Sequence, residues 1–409
     1  MLSCGVPAEL IVDAAEVAAI AGAITKSSLA AFDLEFLAQD RLVPTLCLVQ
    51  VAWQAEHVRL DDAPAKIVAE RPHTALIDPL AVDVRPIFEA LAAHPHVVAH
   101  APRQDLGLIA TRFGIAMPAI ADTQIMAAFA GLGDQIGFAP LANELLGLSL
   151  GKELQWTDWG QRPLSDAQLA YAESDVLHLP ALYSILRDRL GRRLPWALEE
   201  SSVVAADAVE AANVTPETAW RNVSTRGMDR AALAAIIELA AWRQRTATEL
   251  DRPLGQVLNE KVLIDLARTR PSDANGVRAI KGLSPLAKQR TEELATAIAN
   301  AKPDAVTERA ANKGAPSLRA QRWSEILLAI VHLVAEQSRV AGRLLATRSD
   351  AEAFARAVDE GGLAAAATLP ALSTWRREVL GTAWTAWLSG SQVLVGDLDA
   401  VTGVRLEPR

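Results

Sequence analysis

The chain has 409 residues, 51% of them hydrophobic and 22% charged, which excludes a fully disordered or fibrous protein. At that length two or three domains fit better than one. The formal net charge of −9, taken alone, argues against a partner held by bulk positive charge, such as nucleic acid or an anionic membrane.

Two cysteines, Cys4 and Cys47, are too few for a disulfide framework or a zinc site and suit a reducing cytoplasm. Glu9, Asp13 and Glu16 precede the first basic residue, Lys26, which is not a secretory pattern. The uncharged run between Glu378 and Asp397 is broken by Gly381 and by Ser389-Gly390-Ser391-Gln392, so it is a poor membrane span. The expectation is a soluble cytoplasmic protein.

In chain order, Leu29–Phe36 reads as a buried strand that carries two acids, Thr45–Trp53 as a second strand and Thr74–Ile77 as a third. Val82–Ala93 reads as a helix and leads to another apolar strand, His96–His100. Helical stretches follow at Gln104–Arg112, Asp122–Ala130 and Pro140–Leu146. A longer one, Ser165–Leu190, has Asp166 and Gln168 early and Arg187 and Arg189 late, as a helix dipole favours. Strands mixed with helices predict an α/β layer structure.

After about residue 196 the strand signals mostly vanish. Asp229–Asp251, Gly255–Arg268, Pro285–Asn300, Leu318–Ala346 and Asp350–Val358 carry helical periodicity, separated by Pro253, Pro271, Gly276, Gly282, Pro303 and Gly314-Ala315-Pro316. Ala301–Pro316 reads as a linker. Three units result: 1–195 mixed, 214–300 helical and 316–400 helical.

Charge divides along the same lines. Residues 1–195 hold 14 basic and 23 acidic residues, 196–213 hold four acids and no base, and 214–409 hold 26 bases against 22 acids. Different parts of the chain are thus suited to different partners.

Asp33 and Glu35 sit inside the first apolar strand, and period-2 alternation puts both carboxylates on one face. Adjacent like charges repel unless that face is wet or something positive lies between them. Tyr171 and Asp175, spaced i,i+4, share one helix face. Asp105 follows an apolar strand at a helix start, where an acid is also a common helix-terminal residue. Four carboxylates make an oxygen-rich set, suited to Mg²⁺ or Mn²⁺ rather than Zn²⁺. Two such metals support in-line phosphoryl displacement.

The order Asp33-x-Glu35, Asp105, Tyr171-x-x-x-Asp175 resembles the DEDD exonuclease superfamily in its tyrosine subtype. Ala99-His100…Asp105-Leu106, Ala121-Asp122-Thr123-Gln124, Thr157-Asp158-Trp159…Arg162-Pro163-Leu164 and Leu169-Ala170-Tyr171-Ala172-Glu173-Ser174-Asp175-Val176 are similar to the ribonuclease D family over roughly residues 10–195. Leu239-Ala240-Ala241-Trp242-Arg243, Asp251-Arg252-Pro253 and Val262–Arg268 resemble an HRDC domain, a nucleic-acid-binding helical module. Leu344–Arg348 and Trp375-Arg376-Arg377-Glu378 resemble the family's second helical module. Leu34 stands where Thr is frequent in the bacterial family, and Gln104 where an acid often precedes the third Asp; neither removes a ligand.

The resemblance implies a ribonuclease H-like exonuclease domain, a mixed sheet flanked by helices, followed by two all-α HRDC-type domains. It implies a metal-dependent 3′→5′ exoribonuclease that trims tRNA precursors and other structured RNAs and releases 5′-nucleotides. Asp33, Glu35, Asp105 and Asp175 would bind two divalent cations, Mg²⁺ or Mn²⁺, and Tyr171 would orient the attacking water. A Tyr pKa near 10 makes it a poor base at neutral pH. RNA is the expected partner and a monomer the expected state.

Substrate contacts have alternatives. Phe36 and Leu37 pack either on the terminal base or in the core. His100 and Gln124 touch the sugar or scaffold the site. Lys152, Trp156 and Trp159 precede the last acidic helix, where phosphate contact and stacking compete with core burial. Arg268, Arg270, Arg278, Lys281, Lys288 and Arg290 flank Gly282-Leu283-Ser284-Pro285 with only Asp273 opposing them within 268–290, either a solvated face or a phosphate-binding patch. A DNA exonuclease of the same superfamily and a non-catalytic RNA-binding scaffold are the rival functions; the presence of all four acids and Tyr171 disfavours the scaffold.

Overall fold

The structure, a computed structural model, describes the chain apart from residues 1–8, 39, 56, 59–63, 152–156, 226, 306–315, 370, 371 and 373. Lys152 and Trp156 lie outside the described residues, as does most of the expected linker 301–316.

Six strands form the N-terminal sheet: β1 (Leu10–Ile11), β2 (Ala30–Leu37), β3 (Thr45–Trp53), β4 (His73–Ile77), β5 (Val97–Ala99) and β6 (Ile120–Asp122). Their order is β1-β4-β3-β2-β5-β6. β3 runs antiparallel to both β2 and β4, and the other pairs are parallel, so the sheet is mixed as expected. The central strands read as near-continuous apolar runs because both faces are covered. Helices α1 (Ala14–Lys26), α2 (Pro64–Ala69), α3 (Arg85–Ala93), α4 (Arg103–Phe113), α5 (Thr123–Phe129) and α6 (Phe138–Leu146) alternate with the strands. Asp13 caps α1 by accepting from the Ala15 and Glu16 amides, and Gly114 ends α4 at φ 69°, where a residue without Cβ is favoured.

The two sheet faces carry different cores. Phe32, Leu34, Val49, Val51 and Ile77 pack with Val17, Ile24, Ile87 and Phe88 of α1 and α3. Ala31, Ala52 and Val98 pack on the opposite side with Ile125, Val176, Leu179 and Leu182.

The expected helix Ser165–Leu190 is two helices, α7 (Asp166–Leu177) and α8 (Leu179–Leu190). Pro180 in the first turn of α8 has no N–H to continue the α7 ladder. A capping box between Ser165 and Gln168 fixes the start of α7. The acidic stretch after residue 195 belongs to a further helix, α9 (Leu194–Ala212), packed on α4 and β6.

Beyond it the chain is mostly helical, and several of the predicted helices are broken into shorter pieces. α10 (Arg230–Leu250) ends at Asp251, left-handed at φ 48°. Gly255–Arg268 breaks into Leu254–Val257 and Glu260–Thr269, with Asn259 capping the second piece. Pro285–Asn300 breaks at Arg290, and Leu318–Ala346 stops at Ser338 before left-handed Arg339. Asp350–Val358 extends to Arg348–Ala366, kinked at Gly362. To the expected helices the C-terminal unit adds a two-stranded hairpin, β7 (Gln392–Gly396) and β8 (Val404–Pro408). The uncharged run before Asp397 is split between the helix Thr382–Leu388 and β7. Among the described residues no helix is long and apolar enough to cross a membrane.

The two helical units meet the sheet domain differently. Residues 230–300 have their own core around Leu239, Leu263, Leu266 and Leu294. They are tied to the turn after β2, where Asp251 accepts from Arg41 Nε (2.7 Å) and the Leu42 amide (3.1 Å) and Gln256 donates to Asp40 (2.8 Å). The C-terminal helices instead share a core with α5 and α8. Trp375 sits edge-on to Phe129 at 4.9 Å, and Arg193 donates to both Phe129 O and Ser338 O.

Candidate active site

Period-2 alternation places Asp33 and Glu35 on the β2 face that α7 covers, and α7 brings Asp175 down onto them. Ligand oxygens of Asp33, Glu35 and Asp175 lie within 4.8 Å of one another. Asp105, in the first turn of α4 and 8% exposed, stands outside this tight trio but interacts with the charges of Asp33 and Glu35. The Tyr171 phenol lies one helical turn from Asp175, and the two groups interact electrostatically. A β-bulge between Glu35 and Phe36 lies at this end of β2, a feature that re-aims side chains beside functional sites.

The electrostatics are those of like charges held out of water. Burial, then the Asp175 charge, lifts the Asp33 carboxyl well above its ordinary range. Burial and the neighbouring Asp33, Asp175 and Asp105 push Glu35 up to about 9. Burial pushes Asp175 up to about 7. Burial and Asp33 raise Asp105. Burial and the nearby carboxylates also raise the Tyr171 phenol, so it keeps its proton at neutral pH. Such a cluster is unfavourable alone and is relieved by bound cations. The all-oxygen donor set fits hard divalent ions, with no sulfur or imidazole in the trio.

The segment before α7 is pinned by Arg162. Its guanidinium forks onto Asp78 (both bonds 2.7 Å) and also donates to Cys47 O (2.6 Å) and Trp159 O (2.8 Å). Asp78 directly follows β4, and burial is outweighed there by the Arg162 hydrogen bonds, which hold its carboxyl below the usual range. In the sequence Arg162 stands out only as part of a motif. No spacing rule links it to Asp78, 84 residues away.

Several expected substrate contacts take other places. Trp159 is 2% exposed, packed with Cys47, Leu48 and Leu76 beside the Tyr171 ring; the stacking expectation is corrected, because its faces are spent in the core. Phe36 packs against the cluster on the sheet face away from the carboxylates, which corrects its expected contact with the base. Leu37 does lie on the site side, leaning on Gly160, where an added Cβ would meet its Cδ1 at 2.9 Å. His100 shares a hydrogen bond with the Thr123 hydroxyl (2.9 Å) and meets the Phe138 ring edge-on. Burial pushes its imidazole down to about 4. Gln124 donates to Ile136 O. Both side chains are thus engaged by neighbours in the nuclease domain.

The basic patch is partly neutralised by acids that sequence distance conceals. Arg270 pairs with Asp229 (3.1 Å) and Arg290 with Glu249 (3.0 Å), while Arg278 bonds Asn275. Arg268, Lys281 and Lys288 remain exposed.

A mixed sheet that presents a half-buried acidic trio beneath a Tyr-x-x-x-Asp helix defines a nuclease of the 3′→5′ exonuclease class. A family model described as 3′-5′ exonuclease matches residues 8–191, and an HRDC domain model matches residues 232–306. Ribonuclease D of Gluconacetobacter diazotrophicus is 33% identical over 394 residues, 94% of each chain. Ribonuclease D of Granulibacter bethesdensis is 34% identical over 383 residues, covering 91% of this chain and 90% of that one. The crystal structure of Escherichia coli RNase D, described as an exoribonuclease involved in structured RNA processing, aligns with a TM-score of 0.75 at 26% identity over 94% of this chain and 99% of that one. The chain belongs to the ribonuclease D family of 3′→5′ exoribonucleases.

Proposed function

We propose that this exoribonuclease trims the 3′ ends of tRNA precursors and other structured RNAs in the cytoplasm, acting as a monomer and releasing 5′-nucleotides. The observation that carries the reading is the trio Asp33, Glu35 and Asp175 with Tyr171 one helical turn from its third member. In this reading 1–195 is the nuclease unit, 214–300 the HRDC unit and 316–400 the second helical unit. Asp33, Glu35, Asp105 and Asp175 hold two divalent cations, Mg²⁺ or Mn²⁺. When bound, such ions supply Lewis acidity, lowering the pKa of water and offsetting phosphate charge.

The protein's own groups do the rest. The four carboxylates provide oxygen donors from three separate elements, Asp33 and Glu35 from β2, Asp105 from α4 and Asp175 from α7. Tyr171, protonated and one helical turn from Asp175, orients the attacking water by a hydrogen bond. Arg162 keeps α7, and with it Tyr171 and Asp175, seated against β3 and β4.

The deciding experiment follows a 3′-extended tRNA precursor with the purified chain, with Mn²⁺ or Mg²⁺ and with chelator. Stepwise shortening from the 3′ end with metal, and none with chelator, is expected; metal-independent or endonucleolytic products would sink the reading. A parallel DNA substrate with a matched 3′ end tests the DNA-exonuclease alternative.

Tyr171→Phe is expected to slow kcat about 10²-fold with the Mn²⁺ affinity unchanged in calorimetry. Weakened metal binding instead would assign Tyr171 to ligand support. For the helical unit, joint replacement of Arg268, Lys281 and Lys288 by Ala should flatten the salt dependence of RNA binding. The log–log slope should fall by about 0.7 for each phosphate no longer neutralised. An unchanged slope would place the phosphates elsewhere.

A further inference from the structure

Gln50 is fully buried at 0% exposure, and neither its amide oxygen nor its amide nitrogen has a hydrogen-bond partner among the described residues. Leaving a buried amide unpaired is unfavourable, so an unpaired one calls for a reason. Its neighbours within the sheet on this face are apolar on every side but one. Along β3 the same face carries Leu48 and Ala52, and across β4 the register partner is Leu76, all buried. Across β2 the register partner is Asp33. Directly opposed residues share a face with Cβ atoms about 4.5–5.5 Å apart, within reach of a glutamine amide. Gln54 is also buried with an unpaired amide, but it lies past the end of β3 and has no acid in register.

We infer that Gln50 is a positioning residue for Asp33, its amide N–H donating to the Asp33 carboxylate when the site is loaded with cations. Resting on the nuclease reading above, this gives Asp33 a neutral donor of its own, as Asp175 has the Tyr171 hydroxyl one turn away. An ionised carboxylate only accepts hydrogen bonds, and a fixed donor selects which oxygen remains for the cation. A neutral amide does this without adding charge to the site.

The test compares full-length wild type with Gln50→Leu, which removes the amide at similar volume, with Gln50→Met as a second, unbranched replacement, and with Asp33→Asn as reference. Mn²⁺ binding is read by calorimetry, and kcat and KM on a 3′-extended RNA. For both Gln50 variants the expected result is about 10-fold weaker Mn²⁺ binding and a kcat lowered about 10–100-fold. KM for RNA should be unchanged and the metal-free thermal midpoint no lower than wild type. If Gln50→Leu does not fold, Gln50→Met is judged by the same readings. Wild-type Mn²⁺ affinity and kcat in the Gln50 variants, beside an inactive Asp33→Asn, would overturn the role of Gln50 alone. Wild-type activity in Asp33→Asn would overturn the nuclease reading beneath it.

Discussion

Asp175→Asn is expected to reduce 3′ trimming on the order of 10³-fold or more, equivalent to at least about 4 kcal/mol of transition-state stabilisation, while leaving the protein folded. Asparagine keeps the size of the side chain and one oxygen but removes the charge that a divalent cation requires. The same variant has a predicted signature without metal. Burial raises the Asp175 pKa to about 7, above the ordinary aspartate value of 3.8. Between those values the folded protein binds more protons than the unfolded one, so metal-free stability falls as pH rises. The contribution of Asp175 is complete below its unfolded pKa and lost as pH passes through about 7. Asp175→Asn should therefore melt no lower than wild type at pH 8 without metal, and should lose most of the Mn²⁺-induced rise in melting temperature. A variant that trims RNA at the wild-type rate would remove Asp175 from the site. One that melts well below wild type without metal would show that this carboxylate stabilises the apo fold.

Arg162→Ala should produce the largest loss of stability of any single change near the site. Asp78 is left 6% exposed with its counter-charge gone, and breaking such a buried pair costs about 3–5 kcal/mol. Two backbone carbonyls, Cys47 O and Trp159 O, lose their donor at the same time. Arg162→Lys is expected to rescue little, because an ammonium cannot present the planar fork that meets both Asp78 oxygens. Activity should fall with stability, since the clamp holds the segment that leads into α7, although Arg162 touches none of the four acids. The measurement is the denaturant midpoint of the full chain together with single-turnover trimming. An unchanged midpoint in Arg162→Ala would mean that the packing of Trp159, Leu164 and Leu169 alone seats the helix.

The acids of the candidate site are legible in the sequence. Alternation in a strand and the i,i+4 relation in a helix are local periodicities, so spacing alone places Asp33 with Glu35, and Tyr171 with Asp175, each pair on one face. The alternation that turns Leu34 away from the carboxylates also turns Phe36 away, and both pack on the far side of the sheet; applied one residue further, it removes Phe36 from the substrate contacts. Pro180 is likewise a readable break in the long helical stretch, where unbroken apolar periodicity predicts one helix.

The sequence by itself determined the mixed sheet followed by helices, the acidic character of the nuclease half and the basic balance of the chain after residue 213, because these follow from patterns within a few residues and from counting. Tertiary structure alone decided that Trp159 is core, that Asp229 and Glu249 neutralise part of the basic patch, that Arg162 clamps Asp78, and that the C-terminal helices share a core with α5 and α8. Each joins residues tens to hundreds of positions apart, and no local periodicity carries such a pairing. It also put Gln50 opposite Asp33: strand register depends on the pairing of two segments, not on the pattern within either.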